Sequence, residues 1–149
     1  MCIRDSEITE NVLLRDFELA TRAIDRLREH GVLIVLDDFG VGHSSLNYLK
    51  TFAFDKIKLD RSFVWSADSC DKSRAILNSV AALGRELGIG STAEGIETED
   101  HLQRVIKAGF TEVQGYLFSK PVPTPKLDEA QVFPNVTFPG FGSSSNETV

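Results

Sequence analysis

Cysteine is almost absent: Cys2 and Cys70 are the only two in 149 residues, and they lie far apart. That excludes a disulfide framework and a thiolate metal site, and it points to a reducing, cytoplasmic setting. The three histidines, His30, His43 and His101, have no partner at helical metal-ligand spacing, so a zinc site is not expected. Basic charge is also short, with 16 Lys and Arg against 22 Asp and Glu and a formal net charge of −6. A sequence-independent DNA or RNA binder needs clustered cations to displace counterions, and none are here. A small phosphorylated ligand remains compatible, because bound metal ions reverse a local field. No apolar run approaches the roughly 18 residues of a membrane span, and the start of the chain lacks the apolar core of a signal peptide. Proline does not occur before Pro121, and all five prolines fall at or after it. What is present, 42% hydrophobic and 26% charged residues, is the composition of a globular domain.

The apolar spacing then orders the chain. Leu13, Phe17, Ala20, Ile24 and Leu27 recur at helical period and predict one helix from about Asn11 to His30, stopped by Gly31. Val32 to Leu36 is a continuous apolar run, as in a strand buried on both faces. A short helix around Ser44 to Lys50 leads to a strand at Lys56 to Leu59. The next helix carries Ile76, Val80, Leu83 and Leu87 and stops at Gly88, and a strand comes next from Ile89 to Ala93. Thr98 caps a helix with Leu102, Val105 and Ile106 inward, ended by Gly109, before a strand near Glu112 to Tyr116. Helices closed by glycine and succeeded at once by strands predict βαβ units around a parallel sheet. The sequons at Asn135 and Asn146 lie in a polar tail and are read as chance matches.

Residues 35–46 read VLDDFGVGHSSL, and their two adjacent aspartates need an explanation. Like charges side by side repel, and they resist leaving water. Asp37 or Asp38 alone reads as a cap or Asx-turn, Lys58 alone as a solvated charge, and Glu94 alone as an acid at a helix start. Their shared placement says more. Asp37 and Asp38 close one strand, Lys58 and Asp60 the next, Glu94 the third, Gln114 lies in the fourth, and Glu7 closes a strand before the first helix. In parallel α/β folds the C-terminal strand ends converge on one rim, where functional groups gather. Acids crowded there need cations, and carboxylates with an amide oxygen suit Mg²⁺ or Mn²⁺. Two such ions can clamp an in-line phosphoryl displacement.

The stretches EITE (7–10), LDDFG (36–40), KIKLDRSF (56–63), AEGIET (93–98) and QGYLFSKP (114–121) resemble, in order and spacing, the motifs of the EAL domain family. That family comprises bacterial phosphodiesterases that open cyclic di-GMP to linear pGpG. The resemblance implies an α/β fold, the C-terminal part of a modified TIM (β/α)8 barrel with its N-terminal strands missing. It implies that Glu7, Asp37, Asp38 and Glu94 are acids of a two-metal centre for Mg²⁺ or Mn²⁺, with Asp37 bridging the ions. Lys58 corresponds to the lysine beside the attacking water, and Gln114 to the amide near that water and the scissile phosphate. Glu10 and Glu97 correspond to residues that hold the catalytic loops, and Asp60 lies in the lysine motif. Phe39 to Leu46, with Gly40 and Gly42, corresponds to a loop linking a homodimer interface to the metals, where glycine permits unusual backbone angles.

The departures are specific. No Glu-Ala-Leu sequence occurs, and no upstream Asn ligand or substrate-binding Arg precedes Glu7; His43 stands where the family usually has Tyr. The expected organisation is a non-native leader over residues 1–6, a partial EAL domain over 7–125 and a flexible tail over 126–149. The isolated chain is then expected to be inactive for want of ligands, and prone to associate through an open sheet edge. The full protein is expected in the cytoplasm, free or tethered to the inner membrane by segments outside this chain. The alternative is a non-catalytic EAL-like module that binds cyclic di-GMP or a protein partner. An unrelated Mg²⁺-dependent barrel enzyme would have to reproduce all five motifs by accident.

Overall fold

A computed structural model describes residues 5–41 and 46–120 of the chain. In chain order the elements are β1 (Asp5–Thr9), α1 (Glu10–Arg15), α2 (Phe17–Glu29), β2 (Leu33–Phe39), α3 (Leu46–Thr51) and β3 (Lys56–Leu59). They continue with α4 (Arg61–Ser66), α5 (Asp71–Leu87), β4 (Gly90–Ala93), α6 (Glu99–Ala108) and β5 (Glu112–Val113). Leader residues Asp5 and Ser6 pair within β1, whereas residues 1–4 and 121–149, with the tail, lie outside the described residues.

The five strands form one parallel sheet in the order β1-β2-β3-β4-β5, each pair joined by a helix-bearing crossover. The predicted α/β class and parallel topology are therefore observed, as a part of a TIM-like barrel. Side chains alternate across the strands. Ile34, Leu36, Ile57, Leu59 and Ala93 are buried in one core with Leu13, Ile24, Val64, Leu77, Val80 and Val105 of the helices. Glu7, Asp37, Lys58 and Glu94 belong to the opposite set, so the same alternation that builds the core delivers the charges to the other face.

Several local readings needed correction: the strand near Glu112 to Tyr116 ends at Val113, leaving Gln114 beyond it, and Glu7 lies in the middle of β1 rather than closing it. The single helix over 11–30 is two, because Asp16 leaves helical geometry at φ −155° and accepts a 2.9 Å hydrogen bond from the Leu19 amide. A short acceptor that can cap a new helix competes with continuing the old one. On α5 the buried stripe is Leu77, Val80, Ala81 and Gly84, while Ile76 and Leu87 are exposed. The small residues turn inward because the helix lies close to β4: a Cβ on Gly84 would stand 3.1 Å from that of Ser91. Finally, β2 does not stop at Leu36 but runs on to Phe39, with its register against β3 shifting between Leu36 and Phe39. Asp37 and Asp38 are thus part of the strand.

Other signals read as expected. Lys56 to Leu59 is a strand over the same residues, Thr98 Oγ1 accepts from the His101 amide at 3.2 Å, and Gly88 and Gly109 end their helices in the left-handed region. α4 was not foreseen.

Candidate active site

Lys58 is the centre of the site. It points from β3 with its side chain 8% exposed, and its Nζ lies 2.6 Å from Glu94 Oε1, 2.9 Å from Glu7 Oε1 and 3.3 Å from Asp37 Oδ1. The three acids come from β1, β2 and the end of β4. Strand register explains the convergence, since Thr9 pairs with Asp37 on one side and Lys58 with Thr92 on the other. Burial by itself would lower the lysine's pKa. Hydrogen bonds to Glu94 and Glu7, with the charges of Glu94 and Asp37, outweigh it and hold Lys58 above the ordinary lysine value.

Asp38 stands apart from this cluster. It has a left-handed backbone at φ 54°, the only non-glycine residue so placed among those described, and its side chain is exposed. An Asp tolerates that region better than most residues, and the kink turns it away from the strand's alternation. Desolvation, then the charges of Asp37 and Asp60, with a smaller push from Glu7, raise its carboxyl above the usual value against the opposing pull of Lys58. The next residue but one, Gly40, has φ 98°, and a Cβ there would lie 2.8 Å from the Phe63 ring, so only glycine fits. Phe39 is buried in the core. Gly42 and His43 lie outside the described residues.

The remaining expected residues divide. Glu10 is 3% exposed, and neither carboxylate oxygen has a hydrogen-bond partner among the described residues. Asp60 caps α4, accepting from the Ser62 amide at 2.9 Å, so its role in this structure is the ordinary one of a helix start. Gln114 is joined to β4 through its backbone, donating to the Ala93 carbonyl at 2.9 Å and accepting from Ile96 at 3.1 Å. Glu97 is exposed. Glu94, Glu97 and Gln114 share a cavity of about 150 Å³ with Arg61, Trp65 and Tyr116. Sequence reasoning passed over those last three; Arg61 sat inside a quoted motif, and Trp65 is the single tryptophan of the chain.

Among the described residues no group of three or more acidic, His or Cys side chains is arranged to hold a metal ion unaided; the lysine occupies the middle of the acids. The residues nevertheless fit divalent cations. Three carboxylates share one ammonium, leaving surplus negative charge at the strand ends. Asp37 Oδ1 is buried with no hydrogen bond, its lysine contact being an ion pair only. A set of hard oxygens with uncompensated charge favours a cation such as Mg²⁺ or Mn²⁺.

The chain is 42% identical over 117 residues to the cyclic di-GMP phosphodiesterase RocR of Pseudomonas aeruginosa, covering 78% of this chain and 30% of RocR. It resembles the structure of the phosphodiesterase MucR in complex with c-di-GMP, with a TM-score of 0.76 at 36% identity, over 80% of this chain and 49% of that one. It also resembles Klebsiella pneumoniae BlrP1 in a manganese and cyclic di-GMP complex, with a TM-score of 0.74 at 35% identity, over 78% of this chain and 30% of that one. The chain thus spans less than half the length of each. No helix among the described residues is long and apolar enough to cross a membrane. The EAL domain profile matches residues 6–121, from the β1 motif to the end of QGYLFSKP, and the chain belongs to the EAL domain family.

Proposed function

We propose that the protein carrying this chain hydrolyses cyclic di-GMP to linear pGpG, with a divalent metal requirement, and that this chain supplies the Lys58 side of the catalytic centre. The observation that carries the proposal is the convergence of Glu7, Asp37 and Glu94 on one buried ammonium at the strand ends. A polar cluster of that density is a burden to a barrel without chemistry to perform, since buried ionic groups are costly to desolvate.

Glu7, Asp37, Asp38 and Glu94 would hold the cations, which when bound supply an acidified water and stabilise charge on the phosphate. Without metal, the acids around Lys58 hold its ammonium protonated, and it would stand as a hydrogen-bond donor and positive charge beside the attacking water. Water adds to one phosphorus, one ester bond to ribose breaks, and the ring opens to a linear dinucleotide. Gln114, on the wall of the cavity beside Glu94, offers an amide that both donates and accepts, and so orients water against the phosphate. Glu10, buried with two carboxylate oxygens that have no hydrogen-bond partner among the described residues, would be one of the residues that hold the catalytic loops.

The test is to incubate the full-length protein with cyclic di-GMP and Mn²⁺ or Mg²⁺ and separate the products. Formation of pGpG that stops on chelation and in Glu94→Gln supports the proposal. Tight binding without any turnover replaces it with the reading of a non-catalytic cyclic di-GMP module.

A further inference from the structure

Glu94 lies just past the end of β4, at the start of an unusual turn. Gly95 has φ 72°, and a Cβ on it would lie 2.4 Å from Arg61 Cβ and 3.0 Å from Trp65 Nε1. α4 is therefore pressed directly against the peptide after Glu94. One polar contact crosses this junction: the Trp65 indole N–H donates to the Gly95 carbonyl at 2.8 Å. The ring is held in turn by Arg61, whose guanidinium carbon lies 4.9 Å from its centroid. Trp65 remains 42% exposed, more than a tryptophan placed for core packing alone.

The opposite side of the turn is fixed by backbone. Glu94 donates to Leu59 at 3.2 Å, Ile96 to Gln114 at 3.1 Å and Leu117 to Ile96 at 2.9 Å. The Ile96 N–H and the Gly95 carbonyl belong to one peptide plane, which is held on one side by Gln114 and on the other by the indole. Gly95, in the left-handed region, has little steric restraint of its own, so these contacts decide where it sits. Gly95 is bonded to Glu94, so its place bounds that of the Glu94 backbone, whose side chain is the nearest partner of Lys58.

We infer that Trp65 is a positioning residue for Glu94: its indole N–H locks the Gly95 peptide and thereby holds the Glu94 carboxylate on the Lys58 ammonium. The inference rests on the phosphodiesterase reading for its effect on rate, but not for its structural content. Among the described residues no hydrogen bond joins Trp65 to the acids or to Lys58, and its influence on Glu94 is assigned to the turn.

The experiment compares the full chain with Trp65→Phe, which keeps a ring under Arg61 and removes only the donor. By NMR, the single indole N–H of the wild type should exchange slowly with solvent. In Trp65→Phe the Glu94 carboxyl carbon and Gly95 amide signals should shift while the methyls of Leu77 and Val80 stay in place. In the full-length protein, kcat for cyclic di-GMP should fall roughly tenfold with KM nearly unchanged, the pattern of a misaimed group rather than lost binding. Solvent-rate exchange of the wild-type indole, an unmoved Glu94 carboxyl signal, or an unchanged kcat overturns the inference; the first needs no variant. If wild type does not cleave cyclic di-GMP at all, the functional reading fails, and the NMR signals alone decide the positioning of Glu94.

Discussion

Lys58 Nζ and Glu94 Oε1 lie 2.6 Å apart, the shortest of three ion pairs that tie one lysine to acids of β1, β2 and the residue after β4. The pair joins β3 to the end of β4, next to the cavity that holds Gln114. A charge-assisted contact of this length fixes both side chains.

Replacing Glu94 by Gln keeps the shape and an oxygen for Lys58 but removes the charge. Hydrolysis by the full-length protein is expected to fall by a factor of about 10² or more, in the range for losing one preorganised electrostatic group at a reacting centre. The circular dichroism spectrum should not change. Wild-type turnover in Glu94→Gln would remove Glu94 from the site.

Lys58→Met leaves three carboxylates facing one another. Breaking a fully buried pair costs about 3–5 kcal/mol, and the half-exposed Glu7 lowers the expectation here to about 2 kcal/mol. Urea unfolding in the presence of a chelator measures it, and added Mn²⁺ should recover part of the loss. The pH dependence has a definite sign. Because the folded state raises the lysine's pKa, its contribution is complete below the unfolded value of about 10.4 and fades as pH climbs through the higher folded value. The gap between wild type and Lys58→Met should therefore narrow in strongly alkaline buffer.

Asp38 is predicted to work against the fold and for the chemistry. Its carboxyl is raised above the usual value, so its charge opposes folding: the penalty is absent below the unfolded pKa near 4 and fully felt once pH has passed the folded one. Asn removes the charge and suits the left-handed backbone at φ 54°. Asp38→Asn should raise the thermal midpoint at pH 7 without metal, while more metal is needed to reach half-maximal activity. An unchanged metal titration would refute its role as a ligand.

Gly115 should tolerate no side chain. A Cβ there would stand 2.1 Å from the Ile96 carbonyl oxygen and 2.3 Å from its nitrogen, both backbone atoms that cannot swing aside. Gly115→Ala is expected to destabilise by about 3 kcal/mol, as overpacking does, and to displace Gln114 beside it. Chemical denaturation gives the first and residual turnover the second.

The features legible in the sequence are those whose signals are local. The glycine stops at Gly88 and Gly109, the Thr98 cap and the apolar alternation of Lys56 to Leu59 each act within a few residues, and each read correctly. The break at Asp16 turned on a contest between capping a new helix and extending an old one, which spacing does not weigh. The inward face of α5 was missed because Ala81 and Gly84 carry little hydrophobic weight; they are buried for their smallness. For the site, the strand pattern anticipated that Glu7, Asp37, Lys58 and Glu94 share one face, although Glu7 lies in the middle of β1 and Gln114 beyond the end of β5. Trp65 was invisible because its contact with Gly95 spans 30 residues and depends on how α4 lies over the turn.

Among the described residues every strand pairs with its neighbour in sequence, so none of these pairings waits for a distant strand. A ribosome releasing this segment delivers Glu7 and Asp37 first, then Lys58, and Glu94 only after α5 has emerged. Until that moment two carboxylates and an ammonium form an unfinished set. The arrival of Glu94 therefore marks, in the order of synthesis, the step at which β4 docks and the charge cluster closes.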